Sequence, residues 1–445
     1  MPSIDGQHRS RPSAPPEPSA ARPRISNMEI DSGSLMLASV VNGLLGLVFW
    51  AAAARLYPTE EIGRATTVIN AAVMIGTISN LSLGPLYERF LPQSGERGGA
   101  LIVKGHLVTA LIAIILSGAF LVFGPTEHLF TDTLQMALFP LCSVVLGAFA
   151  LDDSILVGLR LGRWAAAKNI FHATAKLVAI VALSHSVDST LIVSGWVVPA
   201  AIAVCVIQCA IFFRGGFLRH HRSLPDRMPS HGSLLKDFGS LYGMVIINSL
   251  APFLLPLLVV STLGVTEAAY FAMSWTMISA VTLVMAMISG PFVAEAAANP
   301  EDLRDLLLRQ LRLLAAVALA GFVFLAFIAP FALSLVGTEY ADHGAALLRS
   351  MAVVQILSIP GFVFGGLARV YRRLGYALAL QITIALAVVV SAWLMLPHFG
   401  ISSVGYAYVG VEFLMILGVA LPLRRMVTDA MHTPSPHPHV TIGNR

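Results

Sequence analysis

Charge is what this chain is shortest of. Lysine, arginine, aspartate and glutamate together make 12% of its 445 residues, while apolar residues make 56%. A water-soluble domain carries about 25% charged residues to wet its exterior. At half that share much of the exterior cannot face water, and lipid is the alternative solvent. Cysteine is scarce too. Cys142, Cys205 and Cys209 lie inside apolar runs, without histidines at metal-ligand spacing, and read as small buried hydrophobes rather than a disulfide framework. There is no glycine-rich phosphate loop ending in Lys-Ser or Lys-Thr, so no built-in P-loop ATPase is expected. Zinc-type His/Glu spacing is missing, and the His437-Pro-His439 tail is too short for more than a weak metal site. No catalytic residue, metal or cofactor is therefore expected, and the chain does not read as an enzyme. The start lacks a short apolar core followed by a small-residue cleavage site. The first apolar segment is accordingly expected to be retained as a membrane helix.

What is present is a series of long apolar runs. A helix needs about 20 such residues to cross the hydrocarbon core. Twelve segments qualify: about 34–54, 62–83, 101–123, 134–157, 168–186, 190–213, 239–262, 268–294, 311–336, 344–368, 375–396 and 402–423. Backbone polar groups in lipid must be satisfied within the segment, so these are helices and the fold class is all-α integral membrane. Basic residues collect in short cytoplasmic loops. With both termini in the cytoplasm, all 28 lysines and arginines fall in inner segments except Arg55, Arg64, Arg349 and Lys176. The net charge of +4 thus reports topology, and no nucleic-acid partner is expected. The expected organisation is a disordered cytoplasmic tail at 1–32, a six-helix bundle at 33–213 and a basic linker at 214–237 holding His220, His221 and His231. A second six-helix bundle follows at 238–424, then a cytoplasmic tail at 425–445. A single offset between the halves aligns Asn42 with Asn248, Glu61 with Glu267, and Gly84-Pro85 with Gly290-Pro291. This 6+6 arrangement reads as a duplicated transporter design.

Residues 50–95 read WAAAARLYPTEEIGRATTVINAAVMIGTISNLSLGPLYERFLPQSG. A second stretch carries Asp152-Asp153, Gly158, Arg160, Trp164, Asn169 and Lys176. Together they cover about a quarter of the chain, and they resemble bacterial polysaccharide and lipopolysaccharide flippases. That family belongs to the multidrug/oligosaccharidyl-lipid/polysaccharide exporter superfamily. The resemblance implies two bundles around a central cavity lined mainly by spans one, two, seven and eight. It also implies export of a polyprenyl-pyrophosphate-linked oligosaccharide across the bacterial plasma membrane, for polysaccharide or cell-envelope biosynthesis. A glycan polymerase or glycosyltransferases would be partners, with membrane lipids around the protein. Two other functions stay open: a cation-coupled multidrug or metabolite antiporter of the same superfamily, and a major facilitator transporter. Gly84-Pro-Leu-Tyr-Glu88-Arg89 is loosely similar to the signature loop of the latter, but the basic cluster expected after it is missing.

The candidate site residues follow from substrate chemistry. Arginine's planar fork suits a pyrophosphate. Arg55 and Arg64, in the first outer loop, would attract it there, or they anchor helix ends and pair with Glu60 and Glu61. Arg89 would serve the inner entrance or act as a plain anchor. Thr66, Asn70, Thr77 and Asn80 share one face of span two. Trp275, Ser279, Thr282 and Ser289 share one of span eight. Such stripes either join helices or line a wet cavity, and Asn42 and Asn248 extend them to spans one and seven. Ionisable groups inside a membrane are costly unless paired or functional. Asp153 and Lys176 are expected to form a buried ion pair or a coupling site, Glu412 is a second coupling candidate, and His106 and His172 read as packed histidines. Pro252 and Pro256 should bend span seven and serve as a hinge, because proline removes a backbone donor.

Overall fold

A computed structural model describes residues 41, 43, 45–46, 48–81, 83–184, 188–213, 251–298, 300–371 and 373–431. Asn42, Asn248, the 214–237 linker and the tail at 1–32 lie outside the described residues, as does 432–445 of the other tail. The described residues are helical apart from turns and bends. The N-terminal half holds α1 (48–56), α2 (Thr59–Ser79), α3 (Leu83–Phe90), α4 (Gly98–Phe123), α5 (Thr133–Gly158), α6 (Gly162–Ala182) and α7 (Ser189–Phe212). The C-terminal half holds α8 (Ala251–Leu263), α9 (Val265–Ala298), α10 (Leu303–Val336), α11 (Thr338–Leu357), α12 (Ile359–Val370), α13 (Leu374–Phe399) and α14 (Ser402–Met431).

Eight of these helices are long and apolar enough to cross a membrane among the described residues, and α11 with α12 makes a ninth if bent helices count as one span. Three further expected spans are not among these nine. The first and seventh run into residues outside the description. The fifth, α6, carries Arg163, Lys168 and Lys176, which lower its apolarity.

Several boundaries differ from the sequence expectation. Span two is shorter: α2 stops at Ser79, Leu81 turns through φ 47°, and α3 is a separate helix. Glycines seat α3 against the bundle. A Cβ at Gly158 would meet the Tyr87 carbonyl at 2.6 Å, and Tyr87 donates its hydroxyl to the Leu101 carbonyl at 3.0 Å. Span ten is broken at Ser358, two residues before Pro360, with a 42° bend. Pro360 cannot donate to the preceding turn, and that accounts for the break. A π-helical turn at Phe324–Ile328 inside α10 precedes Pro330 for the same reason. Span five begins early, at Gly162, so Lys168 lies inside the helix instead of in a loop.

The N-terminal ends of α2 and α9 lie at the end of the bundle that the basic-residue distribution leads one to expect on the outer side, and that end is called the outer end below. Here the two halves meet. A Cβ on Gly63 would run into the backbone carbonyl of Val265 and approach the Ala269 nitrogen. Around this crossing one apolar core spans both halves, with Ile62, Ala65 and Ile69 from α2 and Ala269, Phe271 and Met273 from α9. At the other end the cores are separate. Leu86, Tyr87, Ile102, Leu151 and Ile155 form one within the N-terminal half. Met285, Phe292, Leu307, Leu367 and Met426 form another within the C-terminal half. The described helices are therefore joined at the outer end, while their inner ends bury apolar surface independently.

Candidate functional site

The site begins with α2 and α9, which pack together through their N-terminal portions and are less buried further along. α2 is almost wholly buried from Ile62 to Ala72, and exposure returns at Val73, Met74, Thr77 and Ile78. On α9, Ser279, Ala280 and Thr282 are exposed beyond the buried Phe271–Ser274 stretch. Asn70 and Asn80 are half-buried. The hydroxyl stripes do not tie helices together: Thr66 donates to Ile62 O at 2.6 Å, Thr77 to Val73 O at 2.8 Å and Thr282 to Ile278 O at 3.1 Å. These three hydroxyls thus return their hydrogen bonds to their own helices, while the buried Ser289 Oγ has no partner among the described residues. Asn80 differs. It donates to the Gly147 carbonyl of α5 at 3.2 Å, beside the close Gly76–Gly147 crossing. Trp275 stacks on Phe271 and faces Tyr408 of α14.

At the outer end the two arginines are engaged. Arg64 is held by Glu60 and by Glu61, and Glu61 also accepts from the Ser189 backbone N–H at 2.8 Å, at the start of α7. Arg55 reaches into the other half and donates to the Leu335 carbonyl at 2.8 Å, at the C-terminal end of α10. Nearby, His343 meets Glu267 at 2.8 Å, and Tyr270 donates to Glu339 at 2.9 Å. Arg89 is exposed on α3, with its guanidinium 4.9 Å from the centre of the Phe90 ring.

The buried charges are arranged differently from the sequence expectation. Asp153 pairs with Lys168 at 2.9 Å, not with Lys176, and also accepts from Asn169 at 3.1 Å. Lys168 further donates to the Phe149 carbonyl and lies over that ring. Lys176, 4% exposed, sits 3.5 Å from the Trp196 ring centre and 5.4 Å from that of Phe49. Its contacts are aromatic faces, which attract a cation through their quadrupole. His172 lies between the two lysines on α6, with Nε2 3.0 Å from the Trp196 carbonyl. A carbonyl only accepts, so that nitrogen carries the hydrogen.

Glu412 lies largely buried on α14, and its Oε2 has no hydrogen-bond partner among the described residues. Packing register locates it. Gly405 faces Ser350, and Gly361 faces Met415. Glu412 therefore stands level with the α11–α12 break. Pro252 is exposed and Pro256 buried, in a helix that continues through both. Lys168 as a buried partner and Gln208 as a polar group beside Asp152 are not evident from the sequence. A glutamine near the end of a long apolar run was the available signal for the second.

This arrangement defines a class: an all-helical, multi-pass membrane fold of the kind used by transporters. An inward-facing multidrug resistance MATE family transporter of the MOP superfamily matches 87% of this chain and 95% of its own, with TM-score 0.62 and 15% identity. The MATE multidrug transporter DinF-BH in complex with R6G matches 90% of this chain and 95% of its own, with TM-score 0.63 and 16% identity. The lipid II flippase MurJ, in an inward closed conformation, matches 89% of each chain with TM-score 0.63 and 12% identity. At these identities the shared property is the fold. No family model and no curated protein matches the sequence.

Proposed function

We propose that this chain moves a polyprenyl-pyrophosphate-linked oligosaccharide from the inner to the outer leaflet of a bacterial plasma membrane by alternating access. In this reading twelve spans form two six-helix bundles with both termini in the cytoplasm. The observation that carries the substrate class is the chemistry of α2 and α9. Between Glu61 and the end of α2, and between Glu267 and Glu295 of α9, neither helix has a carboxylate. Amides and hydroxyls at Asn70, Thr77, Asn80, Ser279 and Thr282 are there instead. A cationic drug would need carboxylates to replace its hydration, whereas a glycan needs neutral donors and acceptors. Asn42 and Asn248 would extend this lining. Arg89 would receive the pyrophosphate at the inner entrance, and Arg55 and Arg64 would meet it at the outer mouth once their present bonds open.

The test is complementation of a strain lacking a known flippase of this type, scored by build-up of the lipid-linked precursor. Rescue by the wild type, lost on Arg55→Glu with Arg64→Glu, supports the reading. Absence of rescue by a well-expressed wild type counts against it. A cation-coupled multidrug antiporter is the second reading, favoured by two of the three neighbours above, which are multidrug transporters. Drug resistance without precursor clearance would select it.

A further inference from the structure

Of the basic residues that fall outside the inner segments, three are accounted for. Arg55 and Arg64 are bonded at the outer end, and Lys176 is held by aromatic rings. The fourth, Arg349, is exposed on α11 and makes no hydrogen bond or ion pair among the described residues. The positions one turn to either side, Ala345, Ala346, Ala352 and Val353, are apolar. Asp342, exposed on the same helix, is two turns further out, about 10 Å along the axis. Arg349 stands about 17 Å into α11 from Thr338, at 1.5 Å per residue. On α10, joined to α11 through Gly337, Phe331 and Leu335 are exposed and lie outward of that level. Apolar surface therefore continues outward past Arg349. A cation in such a zone is costly unless an anion meets it.

Packing register supplies a second group. A Cβ on Gly405 of α14 would meet Ser350 Oγ, and one on Gly361 would meet Met415. The numbers rise together on the two sides, so α11 and α14 run in the same direction. One residue turns a helix by about 100°. The residue before Ser350 and the residue after Gly405 therefore turn to the same side of the crossing. They are Arg349 and Tyr406, and both are exposed. Phe399 steadies Tyr406, with its ring perpendicular at 6.0 Å. Inward from this pair Val353 and Phe413 are exposed, and Val409 is half-buried. Glu412 of α14 is buried and offers Arg349 no counter-charge on that side. α9 packs on the other side of α11, where Tyr270 meets Tyr340 edge-on; Tyr340 is two and a half turns from Arg349 and so points the opposite way. The crossing thus presents a cation and a phenol at the outer end of an apolar trough that faces away from the N-terminal half.

We propose that Arg349 and Tyr406 form a binding site for an anionic phospholipid of the outer leaflet. The Arg349 guanidinium grips the phosphate through its planar fork. The Tyr406 hydroxyl donates to a phosphate or ester oxygen of the same lipid. One acyl chain lies along Val353, Val409 and Phe413. Charge selects the class of lipid. A net negative head group finds the guanidinium, whereas the ammonium of a zwitterionic head group finds no carboxylate beside it. The trough belongs to the C-terminal half alone and faces away from the other half, so the site does not depend on which substrate the chain moves.

The full chain in vesicles tests this with phosphatidylglycerol carrying a photoreactive diazirine near its glycerol, the labelled peptides being mapped by mass spectrometry. Label is expected on the segments 346–353 and 406–413. Arg349→Gln should reduce it there by about tenfold or more, the loss of a charge-assisted contact, while label elsewhere on the chain is unchanged. Arg349→Lys should fall between, because it keeps the charge and loses the fork. Tyr406→Phe should reduce it about threefold or more. Unchanged label on these segments in folded Arg349→Gln overturns the proposal. If Arg349→Gln does not fold, unchanged label in Tyr406→Phe overturns it. Equal labelling by the phosphatidylcholine analogue also overturns it, because Arg349 would then be a plain interfacial anchor. Competition by an equal amount of a polyprenyl diphosphate but not by unlabelled phosphatidylglycerol overturns it too, and assigns the site to that lipid.

Discussion

At Gly63 the backbones of α2 and α9 are in direct contact, and replacing it with alanine should pry the two halves apart. A methyl group there has no room: its carbon would overlap the Val265 carbonyl and crowd the Ala269 nitrogen. The obstacles are backbone atoms in a regular helix, so no side-chain rotation relieves them. The crossing must widen by well over an ångström, and the apolar seam formed by Ile62, Ala65 and Ala269 widens with it. Overpacking of this kind costs about 1–3 kcal/mol. Because the strain exists only while the outer end is shut, it acts on the balance between closed and open states. The expected shift toward an open outer end is about 5- to 150-fold. Spin labels at Glu127→Cys and Asp342→Cys, exposed at the outer ends of the two halves, report the separation in a variant lacking the three native cysteines. Gly63→Ala should populate longer distances. A contrasting variant uses the same chemistry within one half: a Cβ at Gly76 would meet Gly147 backbone at 2.7 Å. Gly76→Ala should lower the melting temperature without lengthening the label distance. An unchanged distance distribution in folded Gly63→Ala would refute the idea that this crossing is the outer closure.

Four further outcomes are expected. Asp153→Asn leaves Lys168 buried without its carboxylate; because the Asp153 side chain is itself 37% exposed, the loss should fall short of the roughly 3–5 kcal/mol of a fully buried pair, read as reduced thermal stability in detergent, and adding Lys168→Met should recover most of it. Lys176→Met gives up a cation–π contact worth about 0.5–2 kcal/mol and also a buried charge, so thermal stability should not fall. Arg55→Ala removes the bond to Leu335 O and should shift the outer label pair as Gly63→Ala does, by less. Replacing Pro252 and Pro256 together with alanine should slow precursor clearance while leaving the melting temperature unchanged, and undiminished clearance would count against a hinge there.

The sequence exposed the helices well, because a crossing segment must be long, apolar and internally hydrogen-bonded, and each requirement is written in composition. It concealed the closure. Gly63 sits in a helix start beside Pro58, Glu60 and Glu61, where a glycine reads as a turn residue, and its purpose depends on a carbonyl about 200 positions away in the chain. The break at Ser358 was legible in Pro360, since proline within a span always frees a carbonyl. Its neighbour Glu412 was legible only as a residue with a cost, not as a residue beside that break.

The Asp153–Lys168 pair follows from hairpin register. α5 and α6 form an antiparallel hairpin turning at Arg160, whose φ of 58° marks the reversal. Residues equally far from that turn lie opposite one another, at 1.5 Å of rise per residue on each side. Asp153 is seven residues before it and thus faces position 167, next to Lys168; Lys176 reflects onto Val144. Hairpin register alone therefore assigns the carboxylate to Lys168 and leaves Lys176 among aromatic rings, as the structure has it. The same register separates Asp152 from its sequence neighbour. A step of one residue turns a helix by about 100°, so two adjacent aspartates cannot serve one partner. One neutralises a lysine of α6, and the other faces α4 and α7, where an imidazole and an amide meet it.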